Sequence, residues 1–469
     1  MALDRIFRNA SYLMASEVVS KLMEFAFVII VARSLGPTGF GQLSSALAYV
    51  GLYFFLTDLG LTPLAARELA KDRGNARKLI GDVASAKALL NVAVYGVMAA
   101  AAYATGYPSG FIALVLLLGL ASSLESYNYV FNSVFQGYER LEHAAVARTV
   151  SSVVLLAAAL AASTLRLDVT GYAFAYIASR LACAAYGLAA SRGYVQITLS
   201  YDTASWRRLL GQSWPFGMTL VFTGAFMSAD VVLVSHYLGN EEAGLYSAAS
   251  KLIVALGFIL SAYNQAVYPA LSAAYGQLRE FRAIGGFYLN SMLFIAVPMA
   301  TLVSANATSI IGLAYSDGYE ASTALLSALV WWMAVAFVSS PYHRVLEAAG
   351  MQRKVLEAVA LGTVLAVSLD VVLIPRYGAI AAAYAAALGQ LVFLAAPAFA
   401  CARMRLSPEI SRGDVMRLSV ATVVLLAGIA YTKDSAEVIR ITMPLAAYIT
   451  TYLILGGAMR VLPSGILRQ

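Results

Sequence analysis

A chain of 469 residues that is 61% hydrophobic and only 12% charged, with a mean hydropathy of +0.75, is no ordinary soluble protein, since such chains carry about 25% charged residues. Its net charge of +7 is dispersed over many short loops without a basic domain, which argues against a nucleic-acid partner. Two cysteines, Cys183 and Cys401, are too few for a disulfide scaffold, and His143, His236 and His343 form no HExxH-type pair, so no metal centre is expected.

The charges lie in short clusters between apolar runs of membrane-crossing length, the pattern of a polytopic membrane protein. The amino terminus, MALDRIFRNASYLMASEVVSKLMEF, is basic but lacks an uninterrupted apolar core followed by a cleavage site, and is expected to be retained as the first helix. Helices are predicted near 11–33, 40–68, 78–104, 109–136, 144–163 and 169–191, followed by a polar linker, SRGYVQITLSYDTASWRR. A second set is predicted near 209–237, 243–270, 282–304, 320–347, 354–374 and 378–401, and a final pair near 414–431 and 439–460.

The basic residues test these fourteen spans, because cytoplasmic loops carry the positive excess. With both termini inside, 22 of the 32 Lys and Arg fall on the cytoplasmic side, Arg5, Arg8, Arg140, Arg148, Arg460 and Arg468 among them. Only five fall outside, and Lys21, Lys87, Arg180, Lys251 and Arg344 lie within spans. A missed span would scramble this asymmetry. The outer loops are short, the longest running from Asn306 to Glu320, so any chemistry belongs within the membrane.

An internal repeat organises the spans. Shifting the chain by 203 residues lays LGPTGFG (35–41) on LGNEEAG (238–244). QGYER (136–140) falls on AGMQR (349–353), and DVTGYAFA (168–175) on PRYGAIAA (375–382), at offsets of 213 and 207 that loop insertions absorb. The expected organisation is a six-helix lobe at 1–192, a linker at 193–208, a second six-helix lobe at 209–403, and two further helices within 404–469. Six is even, so the lobes share an orientation, and substrate is expected in a central cavity between them.

The run ARSLGPTGFGQLSSALAYVGLYFFLTDLGLTPLAARELA (32–70) resembles the amino-terminal signature of the polysaccharide flippases in the multidrug/oligosaccharidyl-lipid/polysaccharide exporter superfamily. GLYSAASKLI (244–253), NQAVYPALS (264–272) and LIPRYGAIAAAYA (373–385) are similar to later parts of the same family. The resemblance implies an all-α membrane transporter of about fourteen helices with alternating access. It would move polyprenyl-diphosphate-linked oligosaccharide from the cytoplasmic to the outer leaflet of the cell membrane, in the company of glycan-assembly enzymes. A lipid II flippase or a multidrug exporter of the same fold is the alternative, and a glycan polymerase or ligase the reading from a different class. Where the family often has Asp followed by a basic residue in the seventh helix, this chain has Asp230 and Val231.

A charge at the bilayer centre costs roughly 2.5–3.5 kcal/mol, so such residues face a cavity or a partner. Glu17, Lys21 and Glu24 are spaced four and three apart and share one helix face. A lipid diphosphate carries about two negative charges and needs cations along its path. Lys21, Arg180 and Lys251 are the expected substrate contacts, with Arg344 at the cytoplasmic entrance. Structural ion pairs are the competing reading, Lys21 with Glu17 or Glu24 and Lys251 with Asp230. Glu17, Glu24, Asp58, Glu125 and Asp230 are candidates to bind a coupling proton or sodium ion; no GxxxxGK[ST] run occurs and no other cofactor is expected. Glu347 and Asp370 are expected near the interface, and Lys87 is expected to snorkel towards the cytoplasm. Tyr127, Tyr129 and Tyr138 offer stacking surfaces for sugars but fit packing better.

Overall fold

The computed structural model describes the backbone of residues 2–196, 198, 202–315 and 317–456, and the side chains of the same residues except 2–15, 215 and 216. Arg460, Arg468 and the end of the last predicted span lie outside the described residues, as do the side chains of Arg5 and Arg8. Among the described residues the chain is all helical, with fifteen α-helices and no strand.

The first helix, α1 (Ala2–Phe54), is two limbs joined at Gly36, whose backbone (φ 65°, ψ 179°) leaves the helical region. Only glycine adopts that conformation at little cost, and Pro37 follows as the first residue of the second limb, where its missing N–H costs no hydrogen bond. Gly239, at the matching position of the repeat, does the same (φ 90°, ψ 179°) between α7 (Thr203–Leu238) and α8 (Asn240–Ala274). Equivalent turns thus have equivalent backbone geometry.

The predicted span at 40–68 is broken. The second limb of α1 ends at Phe54, a 3-10 turn covers Phe55–Thr57, and α2 (Leu61–Lys71) begins after Leu59 (φ 43°) and Gly60 (φ 79°). Two successive left-handed residues cannot continue a right-handed helix. The unit continues through α3 (Ala76–Ala104), α4 (Ser109–Gly137), α5 (Leu141–Thr164) and α6 (Val169–Ser191). The polar residues 203–208 are helical rather than linker, because Asp202 caps α7 by accepting from the Ala204 and Ser205 amides at 3.1 and 3.2 Å.

Beyond α8 come α9 (Leu278–Ala305), the short outer helix α10 (Ala307–Ala314), α11 (Ser322–Ala348), α12 (Gln352–Tyr377), α13 (Ile380–Arg403), α14 (Arg412–Tyr431) and α15 (Glu437–Ile454). Eleven helices among the described residues are long and apolar enough to cross a membrane outright. Taking the first limb of α1, its second limb with α2, and every later helix except α10 recovers the fourteen expected spans.

The chain forms two compact units, 1–247 and 248–469. In the first, α1 packs against α4, α5, α6 and α7, while Leu64, Leu69, Ile80, Val83, Val130 and Val134 hold α2, α3 and α4 together. In the second, α11 packs on α9 and α13, α12 on α13, and α14 on α15 and α9.

Gly41 and Gly244, also equivalent in the repeat, face each other where the second limb of α1 crosses the start of α8. A Cβ on Gly41 would collide with the Asn240 carbonyl, and one on Gly244 with the Pro37 carbonyl. Residues 37 and 240 are themselves related by the offset of 203, so the contact is reciprocal. Two helices approach this closely only where neither carries a side chain.

Candidate functional site

Four helices of the first unit enclose a cavity of about 340 Å³. From α1 come Glu17, Ser20, Lys21 and Glu24; from α4, Glu125, Asn128, Tyr129 and Asn132. Both sets are spaced three, one and three, which places each on a single helical face. Arg148, Ser151 and Ser152 on α5 and Arg180 and Cys183 on α6 complete the polar wall.

Three cations and three carboxylates line this cavity, and each cation has one carboxylate partner. Lys21 pairs with Glu24 at 2.8 Å, Arg148 with Glu17 at 3.2 Å, and Arg180 with Glu125 at 3.3 Å. Neutral groups steady the third pair: Asn128 donates to Glu125 Oε2 at 3.2 Å, and Arg180 donates to Ser151 Oγ at 3.1 Å. The cavity is polar, and among the described residues its charges balance.

Behind it lies a second polar cluster at the break in the second span. Lys87 is fully buried, with Nζ 2.5 Å from Asp58 Oδ1. It also donates to Thr62 Oγ1 and the Ser126 carbonyl, both at 3.0 Å. Asp58 in turn accepts from the Thr62 amide at 3.3 Å and from the Thr62 hydroxyl. Asn91 bonds the Lys87 carbonyl at 2.8 Å and Ser126 Oγ at 3.2 Å. Lys87 therefore does not snorkel, because its side chain points across α3 to the broken helix. Its ammonium is 5.8 Å from the ring centroid of Tyr129, which also lines the cavity.

The structure thus brings together Glu17, Lys21, Glu24, Glu125 and Arg180, and sets Asp58 beside them in the buried pair. Asp230, on α7, accepts from Tyr246 at 2.6 Å. Lys251 and Arg344 belong to the other unit, Lys251 exposed on α8 and Arg344 paired with Glu347 at 2.5 Å and lying 6.0 Å from the Tyr268 ring centroid. Asp370, expected near the interface, is fully buried within α12. Tyr138 packs at a tilt on Tyr194 and lies beneath Arg73, and Tyr127 packs on the apolar cluster of the first unit; of the three tyrosines singled out, Tyr129 alone lines the cavity.

Arg148 is the residue that sequence reasoning missed. Counted with the cytoplasmic loops, it lies two turns inside α5, and its spacing to Ser151 and Ser152 is the helical signal that places it on the same polar face. Asn128 and Asn132 follow from Glu125 by the same rule.

The profile of a family described as "Polysaccharide biosynthesis protein" matches residues 6–274, more than half of the chain. The chain belongs to this family. A putative O-antigen transporter of Shigella flexneri is 25% identical over 327 residues, covering 66% of this chain and 75% of that one. A putative O-antigen transporter of Shigella dysenteriae is 31% identical over 102 residues, 20% of this chain and 26% of the other. Among solved structures, the lipid II flippase MurJ in an inward closed conformation superposes with a TM-score of 0.78 at 15% identity, covering 94% of this chain and 97% of that one. An inward-facing multidrug resistance MATE transporter of the MOP superfamily gives 0.69 at 17% identity, covering 82% and 94%. At these identities the likeness shows the fold. This family member is a multi-pass membrane transporter, and its curated relatives are named as transporters.

Proposed function

We propose that the protein is a flippase that carries a polyprenyl-diphosphate-linked oligosaccharide from the cytoplasmic to the outer leaflet of the cell membrane, with both termini cytoplasmic. Alternating exposure of its binding cavity would move it, with lobes at 1–192 and 209–403, 404–469 appended and glycan-assembly enzymes as neighbours. The observation that carries this reading is the cavity that gathers Lys21, Arg148 and Arg180, each beside a carboxylate, with the hydrogen-bonding side chains of Ser20, Asn128, Asn132, Ser151 and Ser152. Three cations within one polar space suit a diphosphate, which accepts bidentate hydrogen bonds from guanidinium groups. A cationic drug would need a cavity of net negative charge, and this one holds three cations against three carboxylates. Lys251 and Arg344 are proposed as further substrate contacts, and Asp58 and Asp230 as carboxylates for a coupling proton or sodium ion.

The name of the Shigella flexneri relative supports an O-antigen-type glycan, and the fold shared with MurJ supports a lipid diphosphate. Lipid II is the second reading, favoured by the same diphosphate chemistry. Transport of defined lipid-linked glycans in proteoliposomes tests both, with lipid II as the competing substrate and proton and sodium gradients imposed separately. Flux of the glycan but not of lipid II is expected, raised by one of the two gradients. Lipid II transport alone would replace the first reading with the second, and flux insensitive to both gradients would remove the ion-coupling role.

A further inference from the structure

The three cavity cations are already occupied. Each holds a carboxylate where a phosphate oxygen would sit, because carboxylate and phosphate accept from ammonium and guanidinium groups in the same geometry. These pairs differ in kind from the buried one behind them. Side-chain exposure is 48% and 43% for Lys21 and Glu24, 44% and 27% for Arg148 and Glu17, and 28% and 23% for Arg180 and Glu125. Lys87 and Asp58 are 0% and 10% exposed. An exposed pair such as Lys21–Glu24 or Arg148–Glu17 holds its partner by less than about tenfold, so a competing anion can displace it; the half-buried Arg180–Glu125 pair is held more firmly, and Lys87 and Asp58 are fixed. The displaced carboxylates have somewhere to go. Glu125 keeps its bond from Asn128, and all three line the open cavity.

We infer that Glu17, Glu24 and Glu125 are resident counterions, which stand in for the diphosphate in the empty cavity, yield to it on binding and return to expel it. This rests on the diphosphate reading above and gives the three carboxylates a role other than ion coupling. With its counterions in place the empty cavity is neutral, so it stays preformed without trapping cellular anions. With them competing, substrate is held weakly enough to leave. Each carboxylate therefore lowers affinity and speeds release.

The test uses the full chain in nanodiscs and proteoliposomes, with citronellyl diphosphate monosaccharide as probe; both its phosphates are esterified, so its charge stays constant near neutral pH. Glu24→Gln and Glu125→Gln are each expected to bind the probe about three- to tenfold more tightly and to transport it more slowly. Glu125→Asp should return both quantities towards wild type. Lys21→Gln, Arg148→Gln and Arg180→Gln should each weaken binding about tenfold or more. Should Glu125→Gln disturb folding, seen as a lowered thermal midpoint, Glu24→Gln on the most exposed pair gives the decisive reading. Equal or weaker binding in the Gln variants, while the Lys and Arg variants still lose affinity, overturns the counterion role and leaves the diphosphate site standing. Unchanged binding in all three cation variants overturns the diphosphate site and the counterion role together.

Discussion

Replacing Lys87 by Met keeps most of the side-chain volume and removes the ammonium 2.5 Å from Asp58. The carboxylate is then left in a site where Lys87 is 0% and Asp58 10% exposed, still held by Thr62 but without its cation. Breaking a buried pair in this way costs about 3–5 kcal/mol. For a unit of this size that corresponds to a fall of roughly 6–20 °C in the unfolding midpoint. The double variant Asp58→Asn/Lys87→Met removes the uncompensated charge and should recover much of the loss, because the desolvation penalty of both ions disappears. Thermal unfolding of the four proteins of this cycle in detergent gives the coupling directly. A Lys87→Met midpoint within 2 °C of wild type would refute the buried pair as a structural element, as would a double variant no more stable than the single.

Gly41→Leu is expected to prevent folding, and Gly244→Ala to cost about 1–3 kcal/mol by forcing α8 away from the Pro37 carbonyl; size-exclusion monodispersity and thermal midpoints check both. Cys183 is buried to 9% exposure but lines the cavity, while Cys401 is fully buried, so a methanethiosulfonate reagent should label Cys183 faster than Cys401, and a diphosphate probe should slow that labelling several-fold. Equal labelling with and without probe would place the ligand elsewhere. The Asp202 carboxyl is held below its usual range chiefly by the Ser205 hydroxyl and amide, with Lys78 a minor contributor. A depressed folded-state value means stability that is full above about pH 4 and is lost as pH falls further. The midpoint difference between wild type and Asp202→Ala should accordingly be constant from pH 5 to 8 and shrink in more acid solution.

Hydropathy and charge carry the coarse fold because they report on the solvent directly. Fourteen spans follow from apolar runs, and the repeat follows from glycines whose backbone geometry no other residue supplies, as at Gly36 and Gly239. The break at 55–60 is hidden because FLTDLG is as apolar as the helix around it. Its trace is the pair Asp58 and Gly60, a charge and a helix breaker two residues apart in mid-span. The cavity was half legible. The stripe Glu17, Lys21 and Glu24 is local and visible in α1 alone, but its meeting with Arg180 and Glu125 depends on how α4, α5 and α6 rotate about their axes. Distance from a span's end misplaced Lys87, since depth along a helix says nothing about which face a side chain occupies. The same ruler hid Arg148 among the loop cations.

The reciprocal contact of Gly41 with Gly244 bears on descent. A six-helix ancestor that met a copy of itself at this crossing would have shown one glycine twice, so a single substitution there would have placed two new side chains into one gap. Duplication within one chain halves that exposure: each glycine can now mutate alone, and a side chain gained on one strand of the crossing can be answered by a change on the other. That both positions still carry glycine means the pair has not used this freedom, and that the carbonyls of residues 37 and 240 leave no room on either side for it to begin.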